Sequence, residues 1–299
     1  MKKTRLWTYA LVSGAVLGVT EASAYTIDGS LTDWGITGSE WSPASLTAKK
    51  SVVEDQKDSY LAPGYGGQAY DAEAMYVDWD SSHLYIAIVT GLKPDDPTHG
   101  PGDIAIGFSK DGGGRAVYEY AVKTKDGFGT FNGDTTPLDN SAYVTNTSRA
   151  DTAEKGEVYQ VTLWGNTIFN PNWNGTWKGK LDDGLNDAVS DPTSMITGNL
   201  RGSASVAYSA STPTALGTLG GSHYVIEAAV PVSLFGSDWT GLQANDDWYL
   251  HWTQNCGNDA IDLTVSYSPP QRVPEPATLA LLGLGLAGIG YARRAKGRG

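Results

Sequence analysis

Between residues 73 and 267 hydrophobic side chains recur mainly at every second position, in runs of six to eight bounded by Gly, Asp, Ser and Pro. A period of two puts alternate residues on opposite faces of an extended strand. Glu73–Trp79 and His83–Val89 flank Asp80-Ser81-Ser82 and predict a hairpin. In the second of these strands Leu84, Ile86 and Ile88 take one face, and Tyr85, Ala87 and Val89 the other. Both faces are apolar, so the strand is expected inside a sheet and covered on both sides. Asp103–Phe108 and Arg115–Val122 flank Lys110-Asp111-Gly112-Gly113-Gly114, whose glycines supply the positive φ angles of a tight turn. Glu157–Leu163, Ser203–Ser209, His223–Val230, Trp248–Thr253 and Asp262–Tyr267 bring the expected strands to nine. Pro231–Phe235 predicts one helical turn with proline at its start.

Strands at this spacing predict an all-β protein, a jelly-roll or immunoglobulin-like β-sandwich with long loop insertions. The insertions are expected at residues 41–70 and 130–200, which are rich in Gly, Asp, Asn and Tyr or Thr and lack a sustained period. An N-terminal signal helix and a C-terminal hydrophobic helix are expected to flank the sandwich. The organisation is then residues 1–24 as signal peptide, 25–270 as sandwich and 271–299 as tail.

The ends differ in character from the middle. Lys2, Lys3 and Arg5 precede an apolar run from Leu6 to Val19, and Ala22-Ser23-Ala24 has the small-x-small pattern cut by signal peptidase, with Ala22 and Ala24 as its small positions. At the other end Val273-Pro274-Glu275-Pro276 is followed by apolar Ala277–Ala292 and then by Arg293, Arg294, Lys296 and Arg298. The apolar stretch is slightly shorter than the ~20 residues of a full membrane span. Its basic end fits a cytoplasmic location.

This three-part tail resembles the PEP-CTERM sorting signal of Gram-negative bacteria. The resemblance implies recognition by an exosortase, a membrane-bound transpeptidase-like protease, with cutting close to Pro274-Glu275-Pro276. It also implies an inner-membrane intermediate, then a cell-surface or extracellular-matrix protein linked to exopolysaccharide. Contact with the membrane is expected only through the C-terminal segment before processing.

Charge sharpens the picture. The whole chain carries 21 Lys and Arg against 33 Asp and Glu, a net charge of -12. Residues 1–24 hold three cations and one acid, and four cations follow Glu275. The part between them keeps 14 cations and 32 acids, a net charge of -18. Nucleic acid is therefore not an expected partner. The single Cys excludes an intrachain disulfide framework.

Three segments resemble family 9 carbohydrate-binding modules and their relatives. These are Ile27-Asp28-Gly29-Ser30-Leu31-Thr32-Asp33-Trp34, the hairpin Ala74-Met75-Tyr76-Val77-Asp78-Trp79-Asp80 with Leu84-Tyr85-Ile86-Ala87-Ile88, and Tyr224-Val225-Ile226-Glu227-Ala228-Ala229-Val230-Pro231. The resemblance implies a sandwich fold. His251-Trp252-Thr253-Gln254-Asn255-Cys256-Gly257-Asn258-Asp259 also looks like a stretch found in exosortase-dependent surface proteins, and Cys256, Gly257, Asn258 and Asp259 carry no assigned role.

Candidate chemistry is sparse. A pyranose is held by flat aromatic faces with amides alongside, which Trp173, Asn174 and Trp177 offer, with Trp34 and Trp41 as further candidates. Oxygen-rich turns suit Ca²⁺, and Asp78, Asp80 and Asp111 stand in or beside such turns. Asp also stabilises turns unaided. No other cofactor is expected. Glu227 is an acid in mid-strand among apolar neighbours, read as solvent-facing or as a structurally satisfied carboxylate. No catalytic residue is assigned. The expected function is non-catalytic: a structural or adhesive surface protein linked to exopolysaccharide. The alternatives are a carbohydrate-binding module for extracellular glycans and a glycan hydrolase.

Overall fold

The computed structural model describes residues 25–54, 67–96, 100–127, 152–165, 192–209, 222–255 and 259–269, with the single positions 217 and 286. Their strands build two antiparallel sheets. The first runs in the order β1 (Lys50–Val53), β2 (Ala72–Trp79), β3 (His83–Thr90), β11 (Tyr224–Pro231), β10 (Ser205–Tyr208). The second runs β13 (Ala260–Ser266), β12 (Asp247–Thr253), β4 (Ile104–Gly107), β7 (Tyr120–Val122), β8 (Glu157–Gly165), β9 (Ser194–Ser203). A small ribbon pairs β5 (Ser109–Lys110) with β6 (Ala116–Val117). The fold is an all-β sandwich, as the alternation predicts.

The period of two sorts side chains into layers. Met75, Val77, Leu84, Ile86, Ile88, Ile226 and Val230 of the first sheet meet Ile104, Ile106, Tyr120, Val158, Trp248, Leu250 and Trp252 of the second in one buried core. Each fully buried large side chain contributes about 2 kcal/mol. The other face of the first sheet is apolar too, with Ala74, Tyr76, Tyr85, Ala87, Val89 and Val225. A strap formed by residues 25–48, with no strand of its own, seals it with Tyr25, Leu31, Trp34 and Ile36. This explains why β3, third of five strands, is apolar on both faces.

Several expectations need correction. Lys50–Val53, inside the expected insertion at 41–70, is an edge strand paired with Ala74–Val77. Ser194–Ser203, which begins inside the expected insertion at 130–200 and runs three residues past it, is a ten-residue strand. Its pairing with β8 shifts register three times, which breaks the alternation that betrays a strand. Arg115–Val122 is not one strand but β6 and β7, divided at Tyr118-Glu119, where the Glu119 carboxylate accepts the Phe108 amide at 2.7 Å and turns back toward its own hairpin partner. The expected turn at Pro231–Phe235 is a 3-10 turn, Val232–Phe235, followed by the four-residue helix α1 (Ser237–Thr240).

Candidate functional site

The first polar cluster lies under the strap. Glu227 sits on β11 with its side chain on the outer face, between Val225 and Ala229. Its Oε2 accepts the backbone N–H groups of Asp28 (3.0 Å), Gly29 (2.6 Å) and Ser30 (3.2 Å), and its Oε1 accepts the Trp34 indole N–H at 2.8 Å. Burial pushes the carboxyl above its ordinary value, and these donors oppose it in part. Glu227 is thus the satisfied structural carboxylate among the two readings, and solvent exposure is excluded because it is wholly buried. Tyr25 stacks on Trp34 with ring centroids 4.0 Å apart and donates its phenol to Asp78 at 2.7 Å. Trp34 is entirely enclosed and Trp41 packs edge-on against His223, so Trp34 presents no face to a sugar.

A second cluster joins the sheets at one end. Asp259 Oδ2 accepts the Ala72 N–H at 2.7 Å, and its Oδ1 accepts the Ala260 N–H at 2.9 Å. Gln254 Nε2 donates to the Tyr70 carbonyl at 2.6 Å. The segment between β12 and β13 therefore clips the second sheet to the start of β2 in the first. Asp259 has a structural role here, while Cys256, Gly257 and Asn258 lie outside the described residues. Nearby, buried His223 Nε2 stands 3.1 Å from Glu73 Oε1.

The third cluster is open to solvent. On the outer face of the second sheet, beside the β5–β6 ribbon, a cleft of about 380 Å³ is lined by Lys110, Arg115, Tyr118, Tyr249, Asp262 and Thr264 among others. Its charged groups are held in place. Arg115 Nε donates to Asp111 Oδ2 at 2.7 Å. The Lys110 ammonium lies 5.4 Å from the Tyr249 ring centroid and 3.7 Å from Asp247. Wholly buried His251 holds Asp262 Oδ1 at 2.7 Å from its Nδ1. Fixed cations, a fixed carboxylate and phenols in one cleft can hydrogen-bond a polyhydroxylated ring. Sequence reasoning missed this cleft. Its one linear signal is the cluster of charge around the glycine turn at 110–115.

The candidate calcium ligands fall at two separate turns. Asp80 Oδ1 accepts the Ser82 and His83 amides, both at 2.7 Å, and Oδ2 accepts the Tyr85 phenol at 2.9 Å. Burial pushes its carboxyl up, but these hydrogen bonds outweigh it and hold the group below its ordinary value. Asp78 accepts from Tyr25 and pairs with Lys49. Asp111 accepts the Gly113 and Arg115 amides at 2.8 and 2.9 Å. Among the described residues, no group of three or more His, Cys, Asp or Glu converges as metal ligands. Trp173, Asn174 and Trp177, the pair Ala22 and Ala24, and Val273, Pro274, Glu275, Pro276, Arg293 and Arg294 lie outside the described residues. Among the described residues no helix is long and apolar enough to cross a membrane.

A sandwich followed by a Pro-Glu-Pro segment, an apolar run and a basic end has the layout of an exported protein with a C-terminal sorting signal. The tail matches the family model of the PEP-CTERM protein-sorting motif over residues 272–295. That motif marks the chain as an exosortase-sorted, exported surface protein of bacteria. No curated protein matches the chain significantly.

Proposed function

We propose that the sandwich works outside a Gram-negative cell as a non-catalytic structural or adhesive component linked to exopolysaccharide. Signal peptidase releases residues 1–24, and exosortase removes the tail near Pro274-Glu275-Pro276. The observation that carries this reading is the sorting motif at residues 272–295, which directs the chain to the surface. The glutamate and aspartate clusters under the strap and at the sheet ends support it, because their oxygens hold backbone rather than face a cleft. The test expresses the chain in a host with and without its exosortase and weighs the product. The expected product begins at Tyr25 and ends near Glu275 only when exosortase is present. A product that keeps residues 277–299 in both hosts removes the sorting half of the proposal. Equal retention of the mature protein in matrices with and without exopolysaccharide removes the adhesive half.

A second reading is glycan recognition, favoured by the cleft beside Tyr249 and by the resemblance to family 9 carbohydrate-binding modules. Arg115 and Asp262 supply paired donors and acceptors for vicinal hydroxyls. On this reading Arg115→Ala lowers retention on exopolysaccharide at least tenfold, about 1.4 kcal/mol. An unchanged isotherm in that variant refutes the cleft as the contact.

A further inference from the structure

Lys123 Nζ stands 3.0 Å from Asp103 Oδ2, with the two side chains only 1% and 2% exposed. Asp103 lies immediately before β4 and Lys123 immediately after β7. Ile104 pairs with Val122 and Val122 with Val158, so Asp103, Lys123 and Glu157 form a row across three neighbouring strands. The Lys123 N–H donates to the Glu157 carbonyl at 2.9 Å, which fixes that row. Ala105, Ala121, Tyr159 and Met195 form an apolar cluster on the same face. A carboxylate and an ammonium kept so dry are costly as ions, and transfer of one proton between them removes both charges.

We propose that Asp103 and Lys123 close an intramolecular isopeptide bond in the folded protein. The ammonium first gives a proton to the carboxylate, leaving a neutral amine and a neutral acid. The Nζ lone pair attacks Cγ, and the Nζ–Cγ bond forms. The Cγ–OH bond then breaks, and the departing hydroxyl takes a second proton from nitrogen and leaves as water. Nothing is oxidised or reduced, and no co-reactant is consumed. The Met195 amide N–H donates to Asp103 Oδ2 at 2.9 Å, and the Thr124 amide also donates to this carboxyl. Both fix the carboxyl beside Nζ, and the Met195 amide on Oδ2, the oxygen that faces Lys123 and takes its proton, steadies the departing hydroxyl. Burial pushes the Asp103 carboxyl up, against the opposing charge of Lys123, which favours the neutral acid that the attack requires. Glu157, whose carboxylate accepts the Tyr159 phenol at 2.6 Å, stands on the neighbouring strand of the row, with backbones about 4.8 Å apart. An exported chain with one Cys has no intrachain disulfide, and this bond ties β4 to β7 in its place.

The test is a peptide map of the purified mature protein. The expected product is a branched peptide joining the segments that carry Asp103 and Lys123, lighter than the two together by one water, with no tryptic cleavage after Lys123. The intact mass is lower by the same water. Lys123→Arg keeps the cation but supplies no attacking amine, and its intact mass is expected at the full sequence value. The wild-type map decides even where that variant does not fold. Separate linear peptides, with trypsin cutting after Lys123, overturn the proposal and leave the pair ionic.

Discussion

The Trp34 indole N–H donates to Glu227 Oε1 at 2.8 Å, across 193 residues of chain. This bond, with three backbone amides on Oε2, fastens the strap over the outer face of the first sheet. Glu227→Ala leaves four donors under the strap without that acceptor. The expected cost is about 3 kcal/mol or more, read from the midpoint of urea unfolding. Asp28→Ala, which removes only an exposed turn acceptor for the Ser30 amide, is expected to cost less than about 1 kcal/mol. Equal effects of the two substitutions would mean that the strap is not fastened at Glu227.

The same carboxyl sets a pH dependence with a definite sign. Burial raises Glu227 above 4.5, so the protonated form is the one that folding favours. Its contribution is complete below pH 4.5 and declines as pH rises through the folded value. Asp80 behaves oppositely. Its hydrogen bonds hold it below 3.8, so its contribution is present above that pH and is lost as pH falls through the folded value. Carboxyl titration by NMR is expected to find Glu227 protonating at higher pH than an unfolded glutamate, and Asp80 at lower pH than an unfolded aspartate. The reverse order contradicts the burial of Glu227 and the hydrogen bonds to Asp80.

Gly35 turns the strap at φ +78°, and a Cβ there would overlap the Ser45 carbonyl oxygen. Gly35→Ala therefore meets both a backbone conformation disfavoured for L-residues and a backbone atom in its path. The expected loss is about 2–4 kcal/mol. The matching signature in hydrogen exchange is deprotection of the Tyr76 and Tyr85 neighbourhood, which the strap covers, ahead of the inner core. Uniform deprotection would indicate that strap and sandwich unfold together.

Asp259 clips the β12–β13 connection to Ala72. Asp259→Ala leaves the Ala72 amide, at the start of β2, without its acceptor at 2.7 Å. The expected destabilisation is about 1–3 kcal/mol, measured as a lowered denaturation midpoint. An unchanged midpoint would free the His251–Asp259 stretch for a role other than joining the sheets.

Much of the fold was legible because alternation is a local signal. Leu84, Ile86 and Ile88 against Tyr85, Ala87 and Val89 already announced a strand covered on both faces. The strap was not legible as a cover, because residues 25–48 have no period. Their fit depends on Tyr25, Trp34 and Ile36 meeting a surface made elsewhere in the chain. β9 was hidden by its bulges against β8, and β1 by its four-residue length. Of the candidate residues, Asp80 and Asp111 were readable as turn-forming, since each binds backbone amides within four residues of itself. The cleft was not readable, because Lys110, Tyr249 and Asp262 come from three separate segments.

By itself the sequence determined the strands with regular alternation, the sandwich class and the address carried by the tail. These depend on short-range sterics or on a contiguous motif, and both survive in a linear reading. Only the tertiary structure decided that Glu227 holds the strap, that Asp103 faces Lys123, and that Lys110, Tyr249 and Asp262 share a cleft. Alternation says which face a residue takes. Which residue waits on that face is set by strand order, and by registers that join positions as distant as His83 and Pro231.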